Sequence, residues 1–231
     1  MTEHAFLFDM DGVIVDSNPA HKIALKEFCQ KHGFDLSEEQ LRERIYGRTN
    51  KDWIPAVFGD IAPEKVAEYA MEKEQLFRDI FAATIQPVAG LVSFLEKLDN
   101  SRIKRAIATS APRANVDFTL SKTATEKYFP IILDDSFVEK GKPDPEIYLK
   151  TAAAVEVPPE RCIVLEDSLS GVKSGKAAGC KVVAITTTHT PEELAEADVI
   201  IANFVDLDPE RLISSLFWGN ANDYFGSALE F

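Results

Sequence analysis

Apolar residues fall into two rhythms along this chain, and the change from one to the other divides it. Ala5 to Phe8 is a short unbroken apolar run, which suits a strand buried on both faces. Val13, Ile14 and Val15 lead into Asp16-Ser17-Asn18-Pro19, a helix-start signature with Ser17 or Asn18 as the capping side chain and Pro19 in the first turn. From there to about Ala83 the spacing is helical. Ile23, Leu25, Phe28 and Cys29 mark a first helix, Leu36 to Ile45 a second, Trp53, Ile54 and Val57 a short third, and Val66 to Phe81 a long fourth. Gly33, Gly47, Gly59 and Pro63 supply the breaks.

Beyond Pro87 the texture changes. After a helix over 88–98, apolar strands are predicted at 105–108, 131–133, 162–165, 182–185 and 199–202. Helices are predicted from Pro112 and over 145–155, 169–178 and 209–217. Such alternation predicts an α/β fold, a parallel sheet with helices on both faces. The strand Ala5 to Phe8 belongs to the same sheet, so residues 1–15 and 86–231 form the core and residues 16–85 a small inserted all-α domain. The tail from Trp218 to Phe231 has no clear period, and Trp218, Tyr224, Phe225, Leu229 and Phe231 are expected to dock on the body.

Composition narrows the partners. The 38 acidic residues against 25 Lys and Arg give a formal charge of -13, which argues against nucleic acid or an anionic membrane surface. Any phosphate must then be captured locally, against the overall field. There is no apolar run of membrane-spanning length, and Met1-Thr2-Glu3-His4 lacks the basic flank and cleavage site of a signal peptide, so a cytoplasmic location is expected. Cys29, Cys162 and Cys180 are widely spaced, with no Cys-x-x-Cys pair, and are expected to be reduced, buried thiols.

Ligands of an open parallel sheet bind beyond the carboxyl ends of its strands, so the residues after each strand carry the chemistry. The first strand ends in Asp9-Met10-Asp11-Gly12, two acids and a turn glycine. They read either as a turn or as hard oxygen ligands suited to Mg²⁺. Thr109 and Ser110 follow the second strand, either as an ordinary helix cap or as a phosphate cradle. Lys142, set before Pro143, is a surface lysine or a group that stabilises phosphoryl charge. Glu166, Asp167 and Ser168 follow a later strand, as capping acids or as the rest of a cation's ligand set. Acids, hydroxyl, lysine and acids, each after a successive strand, concur on a site.

With these four motifs the chain resembles the haloacid dehalogenase superfamily, from Phe6 to about Phe217: Asp9-Met10-Asp11-Gly12-Val13, Thr109-Ser110, Lys142-Pro143 and Glu166-Asp167-Ser168. The resemblance implies a Rossmann-like core and a helical cap of the kind found in the subgroup with beta-phosphoglucomutase and many small phosphatases. It implies that Asp9 is the nucleophile forming an aspartyl-phosphate and Asp11 the general acid and base. By the same resemblance Mg²⁺ is held by Asp9, the main-chain carbonyl of Asp11 and Asp167, with Glu166 direct or through water. Thr109, the amide of Ser110 and Lys142 would hold the phosphoryl oxygens.

The loop Tyr46-Gly47-Arg48-Thr49-Asn50 occupies the place of the family's substrate-specificity loop, and His21 matches a histidine that helps gate the mutase's cycle. Tyr46 and Asn50 stand where beta-phosphoglucomutases carry a lysine and an arginine, groups that hold the far phosphate of a sugar bisphosphate. The expectation is therefore a Mg²⁺-dependent phosphatase, in monomeric form, acting on a small phosphorylated metabolite such as a sugar or polyol phosphate. A phosphosugar mutase is the alternative, and a non-catalytic phosphoester sensor a third reading that the complete catalytic set disfavours.

Overall fold

The computed structural model describes residues 3–46 and 48–219. It divides into two compact units, one of Met1–Asp16 with Ile85–Phe231 and the other of Ser17–Thr84.

The helical unit holds α1 (Asn18–Lys31), α2 (Glu38–Arg44), α3 (Asn50–Phe58) and α4 (Pro63–Phe81). Pro19 and Pro63 sit in first turns, where the missing N–H costs nothing. Ser17 takes the N-cap of α1 without a side-chain cap bond, and Asn18 is already helical. Ser37 starts α2 with a capping box: its hydroxyl accepts from Gln40 N at 3.3 Å and its N–H donates to Gln40 Oε1 at 2.9 Å. That box explains why the second helix begins at Glu38 and not at Leu36. Leu25, Phe28, Leu41, Ile45, Trp53 and Ile54 close a core belonging to this unit alone. Phe28 meets Trp53 and Tyr69 edge-on, with centroids 5.9 Å and 5.6 Å away.

The other unit is an α/β layer structure. Its strands are β1 (Ala5–Phe8), β2 (Lys104–Ala108), β3 (Ile132–Leu133), β4 (Cys162–Glu166), β5 (Lys181–Ile185) and β6 (Val199–Ile201). Its helices are α5 (Leu91–Asn100), α6 (Arg113–Thr123), α7 (Glu146–Ala154), α8 (Leu169–Ala177) and α9 (Pro209–Phe217). The strands form one sheet in the order β3-β2-β1-β4-β5-β6, every pair parallel. Leu7 pairs with Ala106 on one side and with Val164 on the other.

Burial on both faces accounts for the unbroken apolar run of β1. Leu7 joins Ala106, Val164 and Val182 in a layer with Ile147, Tyr148 and Val172. Phe6 and Phe8 point the other way, toward Phe94 at 5.5 Å and 6.3 Å, with Phe204 and Phe129 completing the aromatic layer. Each fully buried ring contributes roughly 1.5–3 kcal/mol.

The helix expected over 88–98 begins three residues later. Gly90 precedes it at φ +78°, and a side chain there would strike the backbone of Phe204 and Val205. Val88 N–H meanwhile donates to Ile14 O at 2.9 Å, tying the residues before the helix to the segment after β1. In the tail, Trp218 lies edge-on to His4 at 5.3 Å. Tyr224, Phe225, Leu229 and Phe231 lie outside the described residues. Cys29, Cys162 and Cys180 are buried free thiols. No helix among the described residues is long and apolar enough to cross a membrane.

Candidate active site

The chain order reverses beside β1. From β1 it runs outward through β2 and β3, then returns to place β4 on the opposite side. A crevice opens at such a switch point beyond the carboxyl ends of the flanking strands. Asp9 is the first residue after β1 and Thr109 the first after β2, while Glu166 ends β4 and Asp167 is the first residue after it.

Lys142 ties these strand ends together. Its Nζ donates to Asp9 Oδ1 at 2.7 Å, to Glu166 Oε1 at 2.7 Å and to Ala108 O at 3.2 Å, so all three ammonium protons are engaged. Burial works against the charge, but Asp9 and Glu166 outweigh it and raise the lysine pKa above its ordinary range. Asp9, Glu166 and Asp167 each offer a carboxylate oxygen, all within 4.8 Å of one another.

The two neighbouring acids are held differently. Glu166 is fully buried, and both its oxygens accept from protein donors. Oε1 takes Lys142 and the Tyr148 hydroxyl at 2.8 Å; Oε2 takes Asp167 N–H, Ser168 N–H and the Ser168 hydroxyl at 3.0–3.1 Å. Burial opposes its charge, and the Lys142 ammonium with these donors overcomes that and lowers its pKa. A side chain on Gly171 would collide with this carboxylate, so glycine there makes room for it. Asp167 goes the other way: burial, then the charges of Glu166 and Asp9, raise its pKa well above the carboxylate range, against a hydrogen bond from Thr188. Burial likewise raises Asp9, with Lys142 opposing and Glu166 and Asp11 adding to the rise.

Gly12 explains the tight turn. Its φ is +78°, and a Cβ would run into the Asp167 carboxylate. Asp11 is half-buried in this turn and bridges to Val15. Thr109 is buried and its Oγ1 accepts from Ala111 N–H at 3.1 Å, whereas Ser110 is exposed at the head of the loop.

The residues singled out in the helical unit find partners there. Lys73 Nζ donates to His21 Nδ1 at 3.1 Å, and the His21 ring stacks on Phe77. Tyr46 OH donates to Glu38 at 3.2 Å, Arg48 to the carbonyl of Glu43 at 3.0 Å, and Thr49 to Asp52 at 2.6 Å. Asn50 donates to Glu74 at 2.8 Å and accepts from Trp53 Nε1 at 2.9 Å. Gly47 lies outside the described residues.

Sequence reasoning missed Tyr148, Lys73 and the threonines after β5. Thr187 and Thr188 had a usable signal, since they follow an apolar strand as the other motifs do. Tyr148 sits in a helical stripe that reads simply as core.

The model of the haloacid dehalogenase-like hydrolase family matches residues 6–185, and the chain belongs to that family. A phosphorylated carbohydrates phosphatase of Thermotoga maritima is 29% identical over 215 residues, 92% of this chain and 97% of its own. Hexitol phosphatase A of Escherichia coli is 32% identical over 200 residues, covering 85% and 89%. A solved family IA, variant 3 hydrolase of the same superfamily, from Entamoeba histolytica, superposes with a TM-score of 0.84 at 33% identity, over 91% of this chain and 98% of that one.

Proposed function

We propose that this chain is a Mg²⁺-dependent phosphatase that hydrolyses a small sugar or polyol phosphate through an aspartyl-phosphate on Asp9. The observation that carries the reading is the excess of carboxylates in the crevice, three that converge while the one ammonium, Lys142, bonds to Asp9 and Glu166. Two relatives named as phosphatases of carbohydrates and hexitols support the substrate class.

The donor set suits a hard divalent cation. Asp9 and Asp167 supply neighbouring carboxylate oxygens whose ionised form burial disfavours and a cation would favour, and by the family resemblance the main-chain carbonyl of Asp11 would complete the protein ligands. Glu166, with both oxygens occupied by donors, anchors Lys142 and would reach the cation through water. Bound there, Mg²⁺ would shield the repulsion between the Asp9 carboxylate and a phosphate dianion.

The protein's own groups perform the two displacements. An oxygen of Asp9 bonds to phosphorus while the ester P–O bond breaks, and Asp11 gives its proton to the departing alkoxide. Water then attacks the phosphorus, Asp11 takes a proton from it, and the aspartyl P–O bond breaks to release phosphate and restore Asp9. The Thr109 hydroxyl and the Ser110 amide hold the phosphoryl oxygens as charge spreads over them, and Lys142 joins them by exchanging its long 3.2 Å bond to Ala108 O for a phosphoryl oxygen. Substrate choice is assigned to the helical unit, with His21, Tyr46, Arg48, Thr49 and Asn50 as its candidate residues. There the neutral Tyr46 and Asn50 favour a substrate with hydroxyls and a single phosphate over a bisphosphate.

The test is a screen of phosphorylated metabolites with Mg²⁺, ranked by kcat/KM, with glucose 1-phosphate plus a trace of bisphosphate as one arm. Sugar or polyol phosphates are expected to lead. Isomerisation outpacing phosphate release would replace this reading with a mutase, and no release from any ester would replace it with a sensor.

A further inference from the structure

The turn that follows β5 reaches two other strand ends. Thr187 Oγ1 donates to the main-chain carbonyl of Gly12 at 2.6 Å, and Thr188 Oγ1 donates to Asp167 Oδ2. In the sheet β4 lies between β5 and β1, so neighbouring spacings of about 4.8 Å put roughly 10 Å between these two strands. Successive residues of a strand face opposite sides, but the strand ends at Ile185 and the chain turns through Thr186 and Thr187. The turn lets both hydroxyls work at the same end of the sheet.

Between them sits the contact that Gly12 permits. The Asp167 carboxylate fills the space a side chain at position 12 would take, so it is packed against the turn after β1 while Thr188 holds Oδ2. Thr187 grips that same turn through the Gly12 carbonyl. Asp9, Gly12 and Asp167 are thereby linked in one frame through consecutive residues of a third loop.

We propose that Thr187 and Thr188 are positioning residues, a two-hydroxyl brace that fixes the Asp167 carboxylate and the Asp9–Gly12 turn at the separation a divalent cation requires. A hydroxyl suits this task because it orients a carboxylate without cancelling its charge. Glu166 illustrates the other outcome, an acid whose charge is taken up by an ammonium at 2.7 Å. Mg²⁺ tolerates little error, since it demands near-octahedral geometry at about 2.0–2.1 Å. Loss of an outer partner of a metal ligand typically weakens binding by about 10–100-fold. The inference rests on the metal site of the proposed function.

The experiment is calorimetric titration of the full chain, stripped with EDTA, with MgCl₂ alone. Thr188→Val keeps the shape and removes the donor, and its Mg²⁺ Kd is expected to rise about tenfold or more. The melting temperature of the stripped protein is expected to stay unchanged, and Thr188→Ser is expected to restore the wild-type Kd. If Thr188→Val does not fold, Thr187→Val reads the same brace from its other end, with a rise in Kd expected again. An unchanged Kd in the folded variant, or a loss that serine does not restore, overturns the brace and leaves the metal reading intact. Failure of the wild-type chain to bind Mg²⁺ overturns the metal reading itself, and the brace with it.

Discussion

In the helical unit, Lys73 and Glu74 are buried at 5% and 7% exposure, ammonium to carboxylate at 2.8 Å. Asn50 donates to that carboxylate and His21 accepts from that ammonium. In the α/β unit, the Lys142 side chain is buried as deeply and pairs with two carboxylates, Asp9 and Glu166, at 2.7 Å, while a third, Asp167, converges on those two. Both clusters are costly to bury, since each charge loses its hydration. The first is matched one to one and is complete without further ligands. The second is arithmetically short of positive charge, which a fold has no structural reason to retain, and that shortfall distinguishes a site from a buried ion pair.

The contrast can be broken in several ways. Its largest expected consequence is at Asp9, where Asp9→Asn removes the nucleophile and relieves part of the repulsion among the acids. Phosphate release is expected to fall by at least about a thousandfold, while the melting temperature holds or rises. Retained turnover would exclude Asp9 as the attacking group.

The matched pair responds in the opposite sense. Lys73→Met leaves Glu74 buried without its ammonium and is expected to destabilise the protein by about 3–5 kcal/mol. Lys73→Met with Glu74→Gln is expected to recover much of that loss, as read by denaturant titration of the single and double variants. A single variant as stable as wild type would mean that the pair is not balanced as described.

Cation binding comes next. At a hundredfold excess over Kd, Mg²⁺ is expected to stabilise the folded chain by about 2.7 kcal/mol, seen as a rise in melting temperature that EDTA reverses. The same addition to Asp9→Asn is expected to give a smaller rise.

The smallest effect concerns a balanced acid in the α/β unit. Asp198 accepts from Lys176 at 2.8 Å and from Val182 N–H at 2.8 Å. Burial opposes its charge, and these donors more than offset that, lowering its pKa. A carboxyl lowered on folding contributes stability above its unfolded pKa, about 3.9, and loses it as the pH falls through the folded value. Asp198→Asn is therefore expected to melt below wild type at pH 7, the gap closing as the pH drops below the carboxylate range.

How much of this was legible beforehand follows from the range of the interactions. β1 was readable because a strand buried on both faces is apolar at every position, and the alternation beyond Pro87 announced a parallel sheet. Asp9, Thr109 and Asp167 were readable because a parallel sheet presents its chemistry directly after its strands, Glu166 because it ends one, and Lys142 because it lies in the connection between β3 and α7. The opposite fates of Glu166 and Asp167 were not, since they depend on Lys142, Tyr148 and Thr188, which arrive from other parts of the chain. Nor was the start of α5, which is set by the approach of Phe204 to Gly90 more than a hundred positions away. The pairing of Lys73 with His21 and Glu74 with Asn50 also spans helices, and spacing along the chain carries no trace of it.

The central claim, that Asp9 takes up the phosphoryl group, is tested most directly by acid-quenching the enzyme during turnover of its best substrate with Mg²⁺ and mapping the modified peptide by mass spectrometry. One phosphoryl group is expected on Asp9, released no more slowly than the enzyme turns over. A phosphoryl group on any other residue, or undiminished turnover by Asp9→Asn, would contradict it.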